Sequence, residues 1–252
     1  MEKDFIEVEN QGSFYFKSSL AENYNVLCFF FSRFGGLSKE PFSSFNFSFQ
    51  VGDDPKDVKK NFAKLKEVTK AYKIITLNQI HSDNVFIYNG GEYKQRQGDA
   101  IITAQKRVFI GVKTADCLPI MLLDKKNNVA AAIHAGRRGT VKNVLGKTIS
   151  TLYQKFNTKS EDILVFTGPY ICEDCYEVSK EIAKKFPLKC FSEKNNKFYA
   201  SLLKANIFLA KISGVLMSNI HSLNLCTKEN KMFFSYRRNE KTGRMISGII
   251  LN

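Results

Sequence analysis

Short apolar runs alternate along the chain with longer segments whose apolar residues recur every three or four positions. Val26-Leu-Cys-Phe-Phe-Phe31 is uninterrupted and brief, as expected of a strand buried on both faces, and it leads into the glycine-rich turn Arg33-Phe-Gly-Gly36. Asp54 then offers a carboxylate cap ahead of Pro55, and Val58, Phe62, Leu65 and Val68 keep one apolar helix face to about Tyr72. The same criteria predict strands over 85–88, 108–112, 118–123, 129–133, 163–167, 232–236 and 245–251, and helices over 140–156, 177–186 and 200–213. The mixture predicts an α/β (α+β) fold, a mixed β-sheet sandwich flanked by helices. Neither a linker nor a repeat interrupts it, so residues 1–252 read as a single domain.

Composition adds bounds. With 252 residues, 44% of them hydrophobic, the chain buries a proper core, and no apolar run approaches the roughly 18 residues of a membrane span. Met1-Glu2-Lys3-Asp4 is charged and no apolar segment follows it, which predicts a cytoplasmic protein without a secretory leader. The formal charge is +14, carried by 30 Lys and 8 Arg scattered along the sequence. Without a basic helix or an aromatic RNA-binding signature, nucleic acid is not the expected partner, although such a charge steers small anions toward the surface. Six cysteines form no compact disulfide framework, and reduced thiols are expected. Only Cys172-Glu-Asp-Cys175 has ligand-like spacing, and with no second such pair it reads as buried free thiols.

The chemistry concentrates mid-chain. Two of the three histidines, His81 and His134, stand in Asn-Gln-Ile-His81-Ser-Asp and Ala-Ala-Ile-His134-Ala-Gly, and Cys117 lies between them at the mouth of an apolar strand. If the strands on either side of Lys126 pair around a turn centred there, opposing residue numbers sum to about 252. Leu118 then faces His134, and Cys117 needs a splayed or bulged strand end, near Pro119, to share a face with it. Two imidazoles and a thiolate are a common zinc ligand set that leaves a fourth position open for catalysis. The same atoms also suit a cysteine nucleophile, with His81 or His134 as its base, or a packed thiol beside strand-end histidines.

Several strings occur together: Asn78-Gln-Ile-His81-Ser-Asp83, Thr114-Ala-Asp-Cys117-Leu-Pro119, Ile133-His-Ala-Gly136 with Gly139-Thr140, Gly168-Pro169, Cys175-Tyr-Glu-Val178, Cys226-Thr227 and Phe233-Phe-Ser-Tyr-Arg-Arg238. In this order they resemble the laccase-domain family, whose members have been called polyphenol oxidase, peptidoglycan editing factor and purine nucleoside phosphorylase. The likeness runs from about Phe29 to Leu251. It implies a mixed α/β sandwich with a zinc bound by two His and one Cys, which map onto His81, Cys117 and His134. Two departures stand out: Arg137 replaces the Trp usual there, and Ala200-Ser201-Leu202 lacks the Asp usual before Leu.

The resemblance also implies phosphorolysis of adenosine, inosine and methylthioadenosine, with adenosine deamination alongside. The expected partners are then a nucleoside and phosphate. Arg33, Arg237 and Arg238 are the candidates for the phosphate, because guanidinium forks match it, and the Gly136–Thr140 turn offers backbone N–H groups. For proton transfer the candidates are Asp83, Asp116 and Glu177. A multicopper oxidase would need more imidazoles than three, so zinc is expected over copper. Two alternatives remain from the same likeness, a peptidoglycan-precursor editing hydrolase and a copper-dependent polyphenol oxidase.

Overall fold

The computed structural model describes residues 4–187 and 190–252. Of the segment Met1–Asp4, whose charge speaks against a leader sequence, residues 1–3 lie outside that range. In chain order the elements are β1 (Phe5–Asn10), β2 (Ser13–Ser18), α1 (Ser19–Glu22), β3 (Val26–Phe31), α2 (Pro55–Thr69), β4 (Lys73–Thr76), β5 (Val85–Tyr88), β6 (Ala100–Thr103), β7 (Val108–Thr114), β8 (Leu118–Asp124) and β9 (Val129–Ala135). There follow α3 (Arg137–Val141), α4 (Val144–Phe156), β10 (Ile163–Thr167), β11 (Glu177–Val178), α5 (Lys180–Ala183), β12 (Phe191–Lys194), β13 (Lys197–Ala200), α6 (Leu202–Ile212), β14 (Ile220–Ser222) and β15 (Met245–Leu251).

Two six-stranded sheets, ordered β1-β2-β3-β15-β7-β4 and β14-β10-β8-β9-β6-β5, form the sandwich, and β11-β13-β12 make a small third sheet. Strand alternation decides what each sheet covers. Met121 and Leu123 of β8 meet Ala130 and Ala132 of β9 and Phe166 of β10 in a core shared with Phe30, Ile110 and Ile249 of the first sheet. Their sequence neighbours Leu118, Ile120 and Leu122 point the other way, onto Leu145, Ile149 and Leu152 of α4 and Leu202, Ala205 and Leu209 of α6. The outer face of the first sheet, with Phe29, Phe31 and Phe109, packs on Leu65 and Val68 of α2 and on Phe45 and Phe47. The layering is helix, sheet, sheet, helix. It is the mixed sandwich that the apolar runs imply, since strands covered on both faces lose their polar alternation.

Four expectations are corrected. Residues 177–186 do not form one helix, because Glu177 and Val178 pair with Tyr199 and Phe198, leaving α5 only four residues long. The helix over 140–156 is split at Asn143, which adopts a left-handed backbone at φ 59° and caps α4 by accepting from Gly146 N. The helix over 200–213 begins at Leu202, since Ala200 ends β13 and Ser201 caps α6 by accepting from Lys204 N. Residues 232–236 are not a strand: Phe233 and Phe234 are buried within turns, held where the Arg238 guanidinium donates to the carbonyls of Thr227, Lys228 and Phe233.

The β8–β9 register also differs, and the difference places the site. Pro119, not Leu118, opposes His134. The loop is four residues long, Lys125 to Asn128, because the Asp124 carboxylate accepts from Lys126 N and Asn127 N at 3.0 Å each and from Asn127 Nδ2 at 2.8 Å. Opposing numbers therefore sum to 253, as in Leu118↔Ala135. Cys117, two residues before Pro119, falls on the same face as His134 with no bulge. Replacing Asp124 by Ala should lower the unfolding free energy in urea by about 2–3 kcal/mol, since three hydrogen bonds to its charged carboxylate are lost. Lys126→Ala in the same loop, an exposed side chain, should stay within about 0.5 kcal/mol of the parent.

Candidate metal centre

His81, Cys117 and His134 come from three different segments. His81 lies in the loop between β4 and β5 with a left-handed backbone at φ 56°, Cys117 directly precedes β8, and His134 is within β9. Their donor atoms all lie within 4.8 Å of one another. Cys117 Sγ is 4.0 Å from His81 Nε2, and the two imidazole centroids are 4.8 Å apart, nearly edge to face. Tetrahedral zinc bonds of roughly 2.0–2.3 Å separate ligand atoms by about 3.3–3.8 Å, so the cluster needs only small adjustment to close on an ion. Gly136 opposes Cys117 across the extended ladder, and a Cβ there would sit 2.8 Å from Cys117 Sγ and 3.1 Å from His81 Cδ2. Glycine keeps that space clear, and the residues fit a metal ion.

Asp99, fully buried just before β6, organises the cluster. Its carboxylate accepts from His134 Nδ1 at 2.8 Å, from His81 N at 3.1 Å, and from Ser82 N and Oγ at 2.6 and 2.7 Å. Its carbonyl accepts from His134 N at 2.8 Å. Donation of the Nδ1 proton to Asp99 leaves His134 Nε2 as the free donor of an electron pair, the arrangement usual for a ligating imidazole. Burial works to raise the Asp99 pKa, but the hydrogen bond and charge of His134, with Ser82, overcome it and hold the carboxyl at about 2, below the usual 3.8. Its contribution to stability is therefore complete above pH 3.8 and is lost as pH falls through about 2. Within the cluster, burial opposes charge on both Cys117 and His134, yet their mutual attraction and the Asp99 bond lower the thiol pKa and raise that of the imidazole.

Asp116 shapes the other side. It has φ 91°, which an L residue adopts only when held, and its carboxylate accepts from Thr227 Oγ1 and Arg237 N at 2.7 Å each while its carbonyl accepts from Ile171 N. The three candidate ligands open onto a pocket of about 820 Å³. Lys113, Arg137, Arg138, Arg237 and Arg244 line it with Tyr176, Tyr236, Asp116 and Glu177. Burial pushes the Lys113 pKa down to about 8.

Residues 27–252 match the model of the family described as multi-copper polyphenol oxidoreductase laccase. The chain belongs to this family. A Clostridium acetobutylicum protein named purine nucleoside phosphorylase is 37% identical over 214 residues, covering 82% of this chain and 86% of its own. The Escherichia coli purine nucleoside phosphorylase YfiH is 32% identical, covering 87% and 91%. Among solved structures, Bacillus licheniformis hypothetical protein YfiH superposes with a TM-score of 0.91 at 25% identity, covering 98% of this chain and 99% of that one.

In this laccase-family protein the other expected residues separate into two groups. Asp116, Glu177 and Arg237 line the pocket, and so does Arg137 at the usual Trp position. Glu177 accepts from Lys197 Nζ at 3.0 Å, and its carbonyl accepts from Arg237 Nη1. Arg33, Arg238 and Asp83 lie outside the lining. Arg33 donates to the Ser43 carbonyl and stacks on Phe234, Arg238 is tied to carbonyls, and Asp83 pairs with Lys147 at 2.9 Å. Asp99, Lys113 and Arg244 lie outside the short motifs, and Tyr176, although within Cys175-Tyr-Glu-Val178, is not marked there as a pocket residue. Asp99 is separated from His81 by 18 residues and from His134 by 35. Asp99→Asn keeps the shape but removes the charge that orients His134, so metal affinity measured by chelator competition should fall about 10- to 100-fold.

Proposed function

We propose that this protein is a zinc-dependent purine nucleoside phosphorylase, a single cytoplasmic domain acting on adenosine, inosine and methylthioadenosine, with adenosine deamination as a companion activity. The observation that carries this reading is that the His81, Cys117 and His134 cluster and the cationic side chains Lys113, Arg137, Arg237 and Arg244 line one pocket. Phosphorolysis forms a bond from a phosphate oxygen to the sugar C1′ as the C1′–N bond breaks. The electron pair leaves with the base, which then takes a proton. The protein must therefore hold a phosphate beside the sugar and settle charge on the departing base.

Arg237 and Arg244 are our anion-binding pair. Tyr176 and the Glu177 carbonyl orient the first guanidinium, and Tyr236 with the Thr242 and Gly243 carbonyls orients the second. Such forks match phosphate oxygens two at a time. A volume of about 820 Å³ suits a nucleoside with phosphate. His81, Cys117 and His134 are the zinc ligands in this reading, and zinc bound there supplies Lewis acidity to a substrate heteroatom. Two imidazoles and a thiolate suit zinc, whereas a multicopper centre would need more imidazoles, and the third, His221, is bonded to Asp4 instead. Glu177 is our proton carrier, because both Asp116 oxygens are engaged. Arg33, Arg238 and Asp83 take supporting roles away from substrate.

One feature favours a second reading. Cys117, His134 and Asp99 form a line of thiol, imidazole and carboxylate, the order of nucleophile, base and orienting acid in acyl transfer. This would suit an editing hydrolase for cell-wall precursors. Incubation with adenosine separates the two. The phosphorylase reading expects adenine release that requires phosphate, ends on chelation and is lost in His81→Ala. It also expects the apparent KM for phosphate to rise above pH about 8, where Lys113 sheds its proton and its charge, and expects Lys113→Met to flatten that limb. Turnover indifferent to phosphate and chelator would overturn it.

A further inference from the structure

A second group of soft donors lies apart from the first. Cys172, Cys175, Cys226 and Glu229 each present a ligand atom within 4.8 Å of the others. We propose that these four side chains form a closed structural site for a zinc-class divalent ion. The sequence shows only the Cys172–Cys175 half; the fold supplies the other half from a loop more than fifty residues away.

The backbone prepares the arrangement without help from a ligand. Each half is a tight turn carrying donors three residues apart. In the first, Cys175 N donates to the Cys172 carbonyl, and in the second, Asn230 N donates to the Cys226 carbonyl. The turns are fastened side by side where Tyr170 N donates to the Leu225 carbonyl and Thr227 N to the Tyr170 carbonyl. Cys172 N donates to Cys226 Sγ at 3.4 Å, the kind of amide contact that stabilises a thiolate. The Cys175 thiol reaches Glu229 Oε1 at 3.5 Å. The neighbouring acids have their own cations, Lys204 on Glu173 and Lys194 on Asp174. Among the described residues Glu229 forms no ion pair, so its carboxylate is free to bind a metal.

Three thiolates and a carboxylate complete a tetrahedron, which makes the site structural, whereas the His81 cluster keeps a position open. Its effect would reach the pocket. Tyr176, next to Cys175, lines the pocket, and Thr227, next to Cys226, holds the carboxylate of Asp116. An ion joining the two turns would fix both.

Cobalt(II) reports thiolate ligation directly through sulfur-to-metal charge-transfer absorption. Cys117 is the single sulfur of the first cluster, so the full chain carrying Cys117→Ser, reduced and titrated with cobalt(II), isolates the second. The expected result is an intense thiolate band saturating at one equivalent, and wild-type protein retaining two zinc ions per chain by elemental analysis. In that background Cys226→Ser should abolish the band, and in otherwise wild-type protein it should halve the zinc content. If that variant does not fold, the Cys117→Ser titration alone still decides. No thiolate band in Cys117→Ser, with wild type saturating at one ion, would overturn the proposal.

Discussion

The candidate metal centre depends on one buried carboxylate. Asp99 is fully enclosed and receives hydrogen bonds from the His81–Ser82 backbone, the Ser82 hydroxyl and the His134 ring. A carboxylate removed from water is tolerated only when its oxygens are satisfied. Here the groups that satisfy it are the loop carrying one candidate ligand and the ring of another. The need to pair one charge thus sets the backbone turn at His81 and the tautomer at His134, and Cys117 arrives from the neighbouring strand by register.

That register shows how the fold delivers chemistry. Side chains in a strand alternate with a period of two, so a shift of one residue would send His134 to the α4 face and leave Cys117 without a partner. The four-residue loop closed by Asp124 prevents this. Both devices are short-range polar arrangements inside an apolar sandwich. Their placement explains how a site assembled from residues 36 and 17 positions apart holds its shape between two cores.

Much of the fold was legible because its central strands are covered on both faces. Residues 26–31, 163–167 and 245–251 appear as strands with those bounds, as does the half-buried edge strand over 85–88, and α2 begins at Pro55 behind its Asp54 cap. What escaped were the short and the polar strands. β1 is an edge strand with charged residues at alternate positions, and β4 and β6 span only four residues each. Phe233 and Phe234 misled in the opposite direction, since they fill the core from turns. The three candidate ligands stood out because histidine is scarce and their motifs are compact. Asp99 did not, as nothing local distinguishes a carboxylate whose partners come from two other segments. Arg33 and Arg238 were attractive as guanidinium groups, but intramolecular carbonyls occupy them, whereas Arg244, unremarkable in sequence, faces the pocket.

The central claim is that two imidazoles and a thiolate hold a zinc ion in the pocket shared with the arginines. Anomalous diffraction from crystals of the purified protein, recorded on both sides of the zinc edge, tests it most directly. The account predicts a zinc peak roughly 2.0–2.3 Å from His81 Nε2, Cys117 Sγ and His134 Nε2. Anomalous scatter absent from that point in crystals of enzyme active on adenosine would contradict it.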